Sequence, residues 1–227
     1  GQPPPGAGQR RAGTAAGMFE RTMARHARGI AAATAPLLER FPGTTSSDRI
    51  PLYNLPTADL VAAGRRQRTP SGRRAIDIVH LGSLSDSRMA FFADMLDALK
   101  DRRPGVKARI IGLLPHQVPW LRDRFEPDVL EIIERLPHRE VPAALGQCRI
   151  GLDIHPWLLP HLALAVPVKA FEYMACGCAL VTSHLPEFEA LLAPTDRDDV
   201  TVVHGDDPVA YAGAVAFLWD GSGLWCL

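Results

Sequence analysis

The chain has 227 residues, of which 47% are hydrophobic, and its 25 basic and 25 acidic side chains cancel to a formal net charge of zero. This composition is typical of one sizeable α/β domain with some additional chain. The charge balance argues against nucleic acid as a partner, because nucleic-acid-binding proteins normally carry a basic excess.

No apolar run approaches the ~20 residues that a membrane-spanning helix needs, and residues 1–17 lack the apolar region of a signal peptide. We therefore expect a cytoplasmic protein. The cysteines at 148, 176, 178 and 226 do not form C-x-x-C pairs, which predicts free thiols in a reducing compartment.

The first 74 residues show weak patterning. Residues 1–17 are rich in Gly, Ala, Pro and Gln without periodicity and are predicted to be disordered. Apolar residues at helical spacing predict a helix over 18–40, which Pro36 would bend or restart. Residues 61–74 are predicted to form a linker. Its arginines indicate either a solvated segment or a surface for phosphate or membrane; they are Arg65, Arg66, Arg68, Arg73 and Arg74.

From Ala75 onward, short apolar runs alternate with helical patterns. The predicted strands are 76–81, 108–113, 149–154, 179–182 and 200–203. The predicted helices are 87–101, one containing Leu121, Phe125, Val129 and Ile132, then 141–147, 168–176, 186–192 and 208–219. Strands that are apolar on both faces predict a parallel sheet covered by helices on both sides. We therefore predict an α/β, Rossmann-like, doubly wound sheet whose ligand lies beyond the carboxyl ends of the strands.

The loop after the first of these strands contains Gly82, Ser83 and, further on, Arg88. A glycine there lets the backbone turn sharply and expose amides to an anion at the next helix start. Arg88 opposes the helix dipole unless something negative lies nearby, and a diphosphate would suit it; a plain surface arginine is the alternative. The loop is not a G-x-G-x-x-G motif, which disfavours a dinucleotide cofactor.

The most informative segment is residues 167–177, PVKAFEYMACG. Glu172 stands in an otherwise apolar helix, and Lys169 shares its face at i, i+3 spacing. Burying an unpaired carboxylate is costly. Either Lys169 pairs with Glu172, or Glu172 faces a cleft and accepts hydrogen bonds from ligand hydroxyls.

Residues 167–177, continued by 179–183, resemble the donor-site motif of retaining GT-B glycosyltransferases of family 4. Gly82 with Arg88 is similar to that family's phosphate loop. Residues 136–142 resemble the loop that frames the nucleotide base, 151–156 the strand that ends at the sugar, and 50–54 the strand before the hinge. The resemblance extends over about residues 35–219.

The resemblance implies that residues 75–220 form the C-terminal, nucleotide-sugar-binding domain of a GT-B fold. It implies that residues 18–60 are the remnant of a truncated N-terminal acceptor domain, and that 221–227 are a tail. Glu172 would bind the ribose hydroxyls, since a carboxylate can accept two hydrogen bonds from a diol. Arg88 and Lys169 would neutralise the diphosphate. The donor site would also include Gly82, Ser83, His138 and Pro156.

By the same resemblance, the protein transfers a sugar from a nucleotide diphosphate sugar to a glycan or lipid-linked acceptor, with retention, at or near the inner face of the membrane. We expect no metal and no cofactor, and we assign no catalytic residue. His155 and His161 are six residues apart across a proline-containing loop, a spacing that disfavours a metal site.

The chain departs from the family pattern at three places: Leu164 where a Glu is common, Ser83 where an Arg is usual, and 157–166 in place of a Gly-rich loop. The chain on its own is expected to bind a nucleotide without transferring a sugar. A non-catalytic nucleotide-binding module and a UDP-sugar epimerase-like domain are the alternatives.

Overall fold

The structure is a computed structural model that describes residues 7–41, 48–155, 162–193 and 197–220. The chain opens with helix α1 (Ala7–His26), strand β1 (Gly29–Ala32), helix α2 (Ala35–Glu39) and strand β2 (Asp48–Pro51). β1 and β2 pair in parallel as a separate two-stranded sheet. Pro36 lies in the first turn of α2, so the chain restarts a helix there as the sequence predicts.

Two stretches of this N-terminal part differ from the sequence predictions. The helix begins at Ala7 within the segment predicted to be disordered, because Ala, Gln and Arg have high helix propensity even without apolar periodicity. It ends at His26 instead of running to residue 40, because residues 29–32 pair as β1 with β2. Local periodicity did not reveal that pairing.

The segment predicted to be a linker is largely helix α3 (Ala58–Gln67). The hydroxyl of Thr57 caps it by accepting a hydrogen bond from the Leu60 amide at 3.3 Å. Gly64 packs so tightly on helix α7 (Val168–Ala175) that a Cβ there would lie 2.8 Å from the Ala175 carbonyl oxygen. α3 is therefore part of the packed domain. The sequence did not predict this because the arginines of the segment are typical of a solvated linker.

The main sheet has six parallel strands in the order β5-β4-β3-β6-β7-β8. The strands are β3 (Ile76–Leu81), β4 (Ala108–Ile111), β5 (Leu130–Ile133), β6 (Cys148–Asp153), β7 (Ala179–Ser183) and β8 (Val200–Val203). This order is that of a Rossmann-like doubly wound sheet. The chain adds strands outward from β3 on one side and then from β6 on the other, so the strand order reverses between β3 and β6. The predicted fold class is confirmed.

Helices cover both faces of this sheet. Besides α3 and α7 they are α4 (Asp86–Arg102), α5 (Val118–Arg124), α6 (Val141–Leu145), α8 (Pro186–Leu192) and α9 (Pro208–Asp220). One apolar core contains Phe92 and Tyr211, from α4 and α9. The other contains Tyr173 and Phe188, from α7 and α8. Within the described ranges, no helix is long and apolar enough to cross a bilayer.

The prediction of a helix that includes Val129 and Ile132 is wrong. α5 ends at Arg124, and the chain then forms β5. Pro127 cannot continue a helix, and the β-branched residues that follow it favour a strand.

Candidate functional site

The reversal of strand order places the ends of β3 and β6 side by side at the carboxyl edge of the sheet. Gly82 follows β3, and the segment from Ile154 follows β6. A crevice at such a switch point is the usual ligand position in open α/β sheets. We therefore take this edge as the candidate site.

Tyr173 joins α7 to both of these strands. Its hydroxyl oxygen accepts a hydrogen bond from the Leu81 amide at 2.6 Å, and the hydroxyl donates to the Leu152 carbonyl at 3.2 Å. The ring lies against Gly151, where a Cβ would come within 2.2 Å of the ring carbon Cγ. Gly151 thus lets Tyr173 approach the sheet, and Tyr173 sets the position of α7 over the site.

Lys169 pairs with a fully buried carboxylate, that of Asp153. The Lys169 ammonium lies 3.0 Å from Asp153 Oδ1, and Nε2 of His155 lies 3.1 Å from the same oxygen. Burial works to raise the pKa of Asp153, but the positive charge of Lys169 and the hydrogen bond from His155 outweigh it and hold that pKa well below its usual range. Asp153 therefore stays ionised and fixes the ammonium at the carboxyl edge.

This ion pair excludes one of the two sequence-based interpretations of Glu172. Lys169 turns to Asp153, so the i, i+3 pair of Lys169 with Glu172 does not form. One Glu172 oxygen instead lies 3.4 Å from Nε2 of His138, in the turn before α6. The Glu172 side chain is 11% exposed and that of His138 is 68% exposed. The carboxylate is thus held in a mostly buried position with an accessible histidine beside it.

The loop after β3 has the predicted sharp turn. Gly82 has a φ of 101°, a conformation that favours glycine, and its amide donates to the Ile111 carbonyl at 2.7 Å. Ser83 is exposed. The hydroxyl of Ser85 caps α4 by accepting from the Arg88 amide at 3.4 Å, and it also lies 3.5 Å from Arg88 Nε. Arg88 is therefore held at the start of α4.

Arg88 lies in the first turn of α4 and Lys169 in the first turn of α7. Burial lowers the pKa of His80 in β3 well below its usual value, and the positive charges of Lys169 and Arg88 lower it further. Two cations beside the starts of α4 and α7 form a surface suited to an anion. Of the predicted site residues, the structure places Gly82, Ser83, Arg88, His138, Lys169 and Glu172 along the carboxyl edge. Pro156 lies outside the described residues.

Sequence reasoning missed the residues that hold this site in place. Besides Asp153 and Tyr173, it missed Ser183 at the end of β7. The Ser183 hydroxyl oxygen accepts from the His155 amide at 2.6 Å and lies 2.6 Å from the Tyr211 hydroxyl. A charged residue at the end of an otherwise apolar strand, as in GLD at 151–153, was the available signal for Asp153, since such a group needs a partner.

Comparison with known proteins assigns the chain to a family and to a fold. A family described as "Glycosyl transferase-like" matches residues 85–216. No curated protein sequence matches the chain.

Solved structures similar to this chain include TarM, with a TM-score of 0.68 at 10% identity over 92% of this chain and 40% of that one. Sucrose-phosphate synthase from Thermosynechococcus elongatus has a TM-score of 0.61 at 16% identity over 93% and 54%. HepE from Anabaena has 0.59 at 13% identity over 91% and 58%. The identities are low, so the likeness is one of fold, and the chain spans 40% to 58% of the length of these proteins.

Proposed function

Because the chain belongs to the glycosyl transferase-like family, we propose that its carboxyl-edge site binds a nucleotide diphosphate sugar as the glycosyl donor. The observation that carries the proposal is the position of Glu172, a mostly buried carboxylate that α7 holds at the switch point without a lysine partner. A carboxylate in that state suits the two hydroxyls of a ribose, each of which donates one hydrogen bond. His138 beside it would contact the same nucleoside.

The diphosphate is assigned to the two cations. Arg88 at the start of α4 and Lys169 at the start of α7 would stabilise the negative charge that grows on the diphosphate as the sugar–phosphate bond breaks. Amides at the start of α7 would add to this. Asp153 would keep Lys169 oriented without entering the reaction, and no metal ion is required in this scheme.

For the complete reaction we propose transfer with retention to a glycan or lipid-linked acceptor. The support is the resemblance of residues 167–183 to the donor motif of retaining family 4 enzymes. HepE from Anabaena was solved in complex with UDP and glucose, and mutant TarM from S. aureus with fondaparinux, alpha-GlcNAc-glycerol and UDP. A uridine nucleotide is therefore the first ligand to test. Exposed Arg65 and Arg66 are the residues that we propose for peripheral membrane contact.

The test is calorimetric titration of the chain with UDP and with GDP, comparing the wild-type protein with Glu172→Gln. This variant keeps the shape of the side chain but removes its charge. We expect saturable binding of one nucleotide, weakened by about 1–3 kcal/mol, or roughly 5- to 150-fold, in the variant. Glu126→Gln is the matched control because Glu126 is exposed and precedes β5, at the opposite edge of the sheet.

Equal binding by the wild type and by Glu172→Gln would remove Glu172 from the site, and an absence of binding by the folded chain would contradict the proposal. In a second assay, transfer of the sugar from the bound donor to a candidate acceptor would identify an enzyme and contradict the interpretation as a non-catalytic nucleotide-binding module. Inversion of a sugar centre without transfer would instead identify an epimerase-like domain.

A further inference from the structure

A second cluster of polar side chains lies at the carboxyl edge of the sheet, apart from Glu172 and Lys169. It consists of His184 directly after β7, His204 directly after β8, and Glu189 in α8. The proposed donor chemistry assigns no role to any of the three. We call them the histidine cluster.

The backbone brings these residues together by extending the strand pairing. β7 and β8 pair in parallel with Ser183 opposite Val203. The His184 amide continues this ladder by donating to the Val203 carbonyl at 2.9 Å. His184 and His204 therefore leave neighbouring strands at the same level, and both are anchored by the pairing of β7 with β8.

The side chains face one another. The two imidazole rings stack with centroids 4.4 Å apart and an angle of 28° between their planes. Nδ1 of His184 contacts a carboxylate oxygen of Glu189. One ligand atom from each of the three residues lies within 4.8 Å of the other two. Two imidazole nitrogens and one carboxylate oxygen are thus close enough together to bind a single ion.

We propose that the histidine cluster binds a zinc ion, with water as the fourth ligand. Histidine nitrogen and carboxylate oxygen are ligands that zinc prefers, at about 2.0–2.2 Å, and three protein ligands plus water is a common coordination. In a tetrahedral site with those bond lengths, two ligand atoms lie about 3.3–3.6 Å apart. The ligand atoms of the cluster lie within 4.8 Å of one another, so the side chains would rotate to close the remaining distance of about 1 Å around the ion. The His184 and Glu189 side chains are 34% and 30% exposed, and His204 is exposed, which leaves a path for the ion and the water.

This site would be structural with respect to the donor reaction. It ties the ends of β7 and β8 to the middle of α8, next to Ser183, whose hydroxyl binds the His155 backbone. That the donor chemistry uses no metal stays a prediction. The sequence does not reveal the cluster, because positions 184, 189 and 204 have none of the spacings typical of metal ligands. Only the pairing of β7 with β8 brings them together.

The test uses the full chain after treatment with a chelator that is then removed. Calorimetric titration with Zn²⁺ should show binding at one site that weakens at least tenfold in His204→Ala and in Glu189→Gln. The control is His116→Ala, because His116 is exposed and lies outside the cluster; it should bind zinc as the wild type does. With Co²⁺ in place of Zn²⁺, the wild type should show the strong visible absorption of a four-coordinate site, and His204→Ala should lose it.

Thermal unfolding adds a readout that does not depend on heat of binding. Zinc should raise the Tm of the wild type and of His116→Ala, but not that of Glu189→Gln. Wild-type affinity no greater than that of His204→Ala would overturn the proposal, as would equal losses in His116→Ala. UDP titration of His204→Ala keeps the two proposals separate, since nucleotide binding should survive the loss of the zinc site.

Discussion

Replacing Gly151 with alanine is expected to disrupt the packing of Tyr173 at the switch point. A Cβ at this position would lie 2.2 Å from Cγ and 2.4 Å from Cδ2 of Tyr173, which is far inside van der Waals contact. The ring is fully buried and belongs to the core between the sheet and α7. It cannot move aside without pulling its hydroxyl from the Leu81 amide and the Leu152 carbonyl.

The expected cost has two parts. Overpacking a well-filled core costs about 1–3 kcal/mol. Leaving the buried hydrogen-bonding groups of the strands without Tyr173 costs about 1–3 kcal/mol more. We therefore expect Gly151→Ala to lower the free energy of unfolding by about 4 kcal/mol. In a Tyr173→Phe background the hydroxyl is already absent, so the same substitution should cost only about 2 kcal/mol.

The assay is urea unfolding of the four proteins of this double-mutant cycle. Gly72→Ala is the matched control, because a Cβ at Gly72 meets nothing within 4 Å and should change stability by under about 0.5 kcal/mol. A cost of Gly151→Ala as small as that of the control would refute the packing argument. An equal cost in both backgrounds would show that the Tyr173 hydroxyl does not hold the strand ends.

Three further outcomes follow from the buried charges and thiols. Asp153→Asn leaves the Lys169 ammonium without its counter-charge and should destabilise the protein by about 3–5 kcal/mol in urea unfolding; a loss below 1 kcal/mol would contradict this. Because burial lowers the pKa of His80, the unfolded chain takes up a proton on this side chain as the pH falls, whereas the native state does not. The free energy of unfolding should therefore fall by up to about 1.4 kcal/mol for each pH unit below about 6.5. Urea unfolding at pH 7 and at pH 5 measures this loss, which should be smaller in His80→Gln than in the wild type. Burial raises the thiol pKa to about 12 for Cys148 and about 11 for Cys176. Iodoacetamide at pH 8 should therefore label both thiols only on unfolding, as measured by peptide mass mapping. Labelling of the native protein at the rate of a free thiol would refute this.

Much of the fold is readable from the chain because its signals are local. The apolar run of β3, the start of α8 at Pro186 and the end of α7 before Gly177 depend on neighbouring residues, and the sequence predicts them within a residue or two. Alternation of such elements predicts the parallel, doubly wound sheet. The predictions differ from the structure where a long-range pairing overrides the local pattern, as at β1, or where a charged surface hides a packed face, as on α3.

The sequence by itself predicted the residues of the proposed donor site: Glu172 and Lys169 in one short helix, and Arg88 at the start of another. Only the tertiary structure decided their partners. Lys169 pairs with Asp153 on β6 and Glu172 lies beside His138. Tyr173 holds α7 against the strands through its hydroxyl bonds and its close approach to Gly151. The histidine cluster likewise exists only through the pairing of β7 with β8. Spacing along a helix shows which side chains share a face, whereas the charge that each one meets depends on the strand packed beneath it.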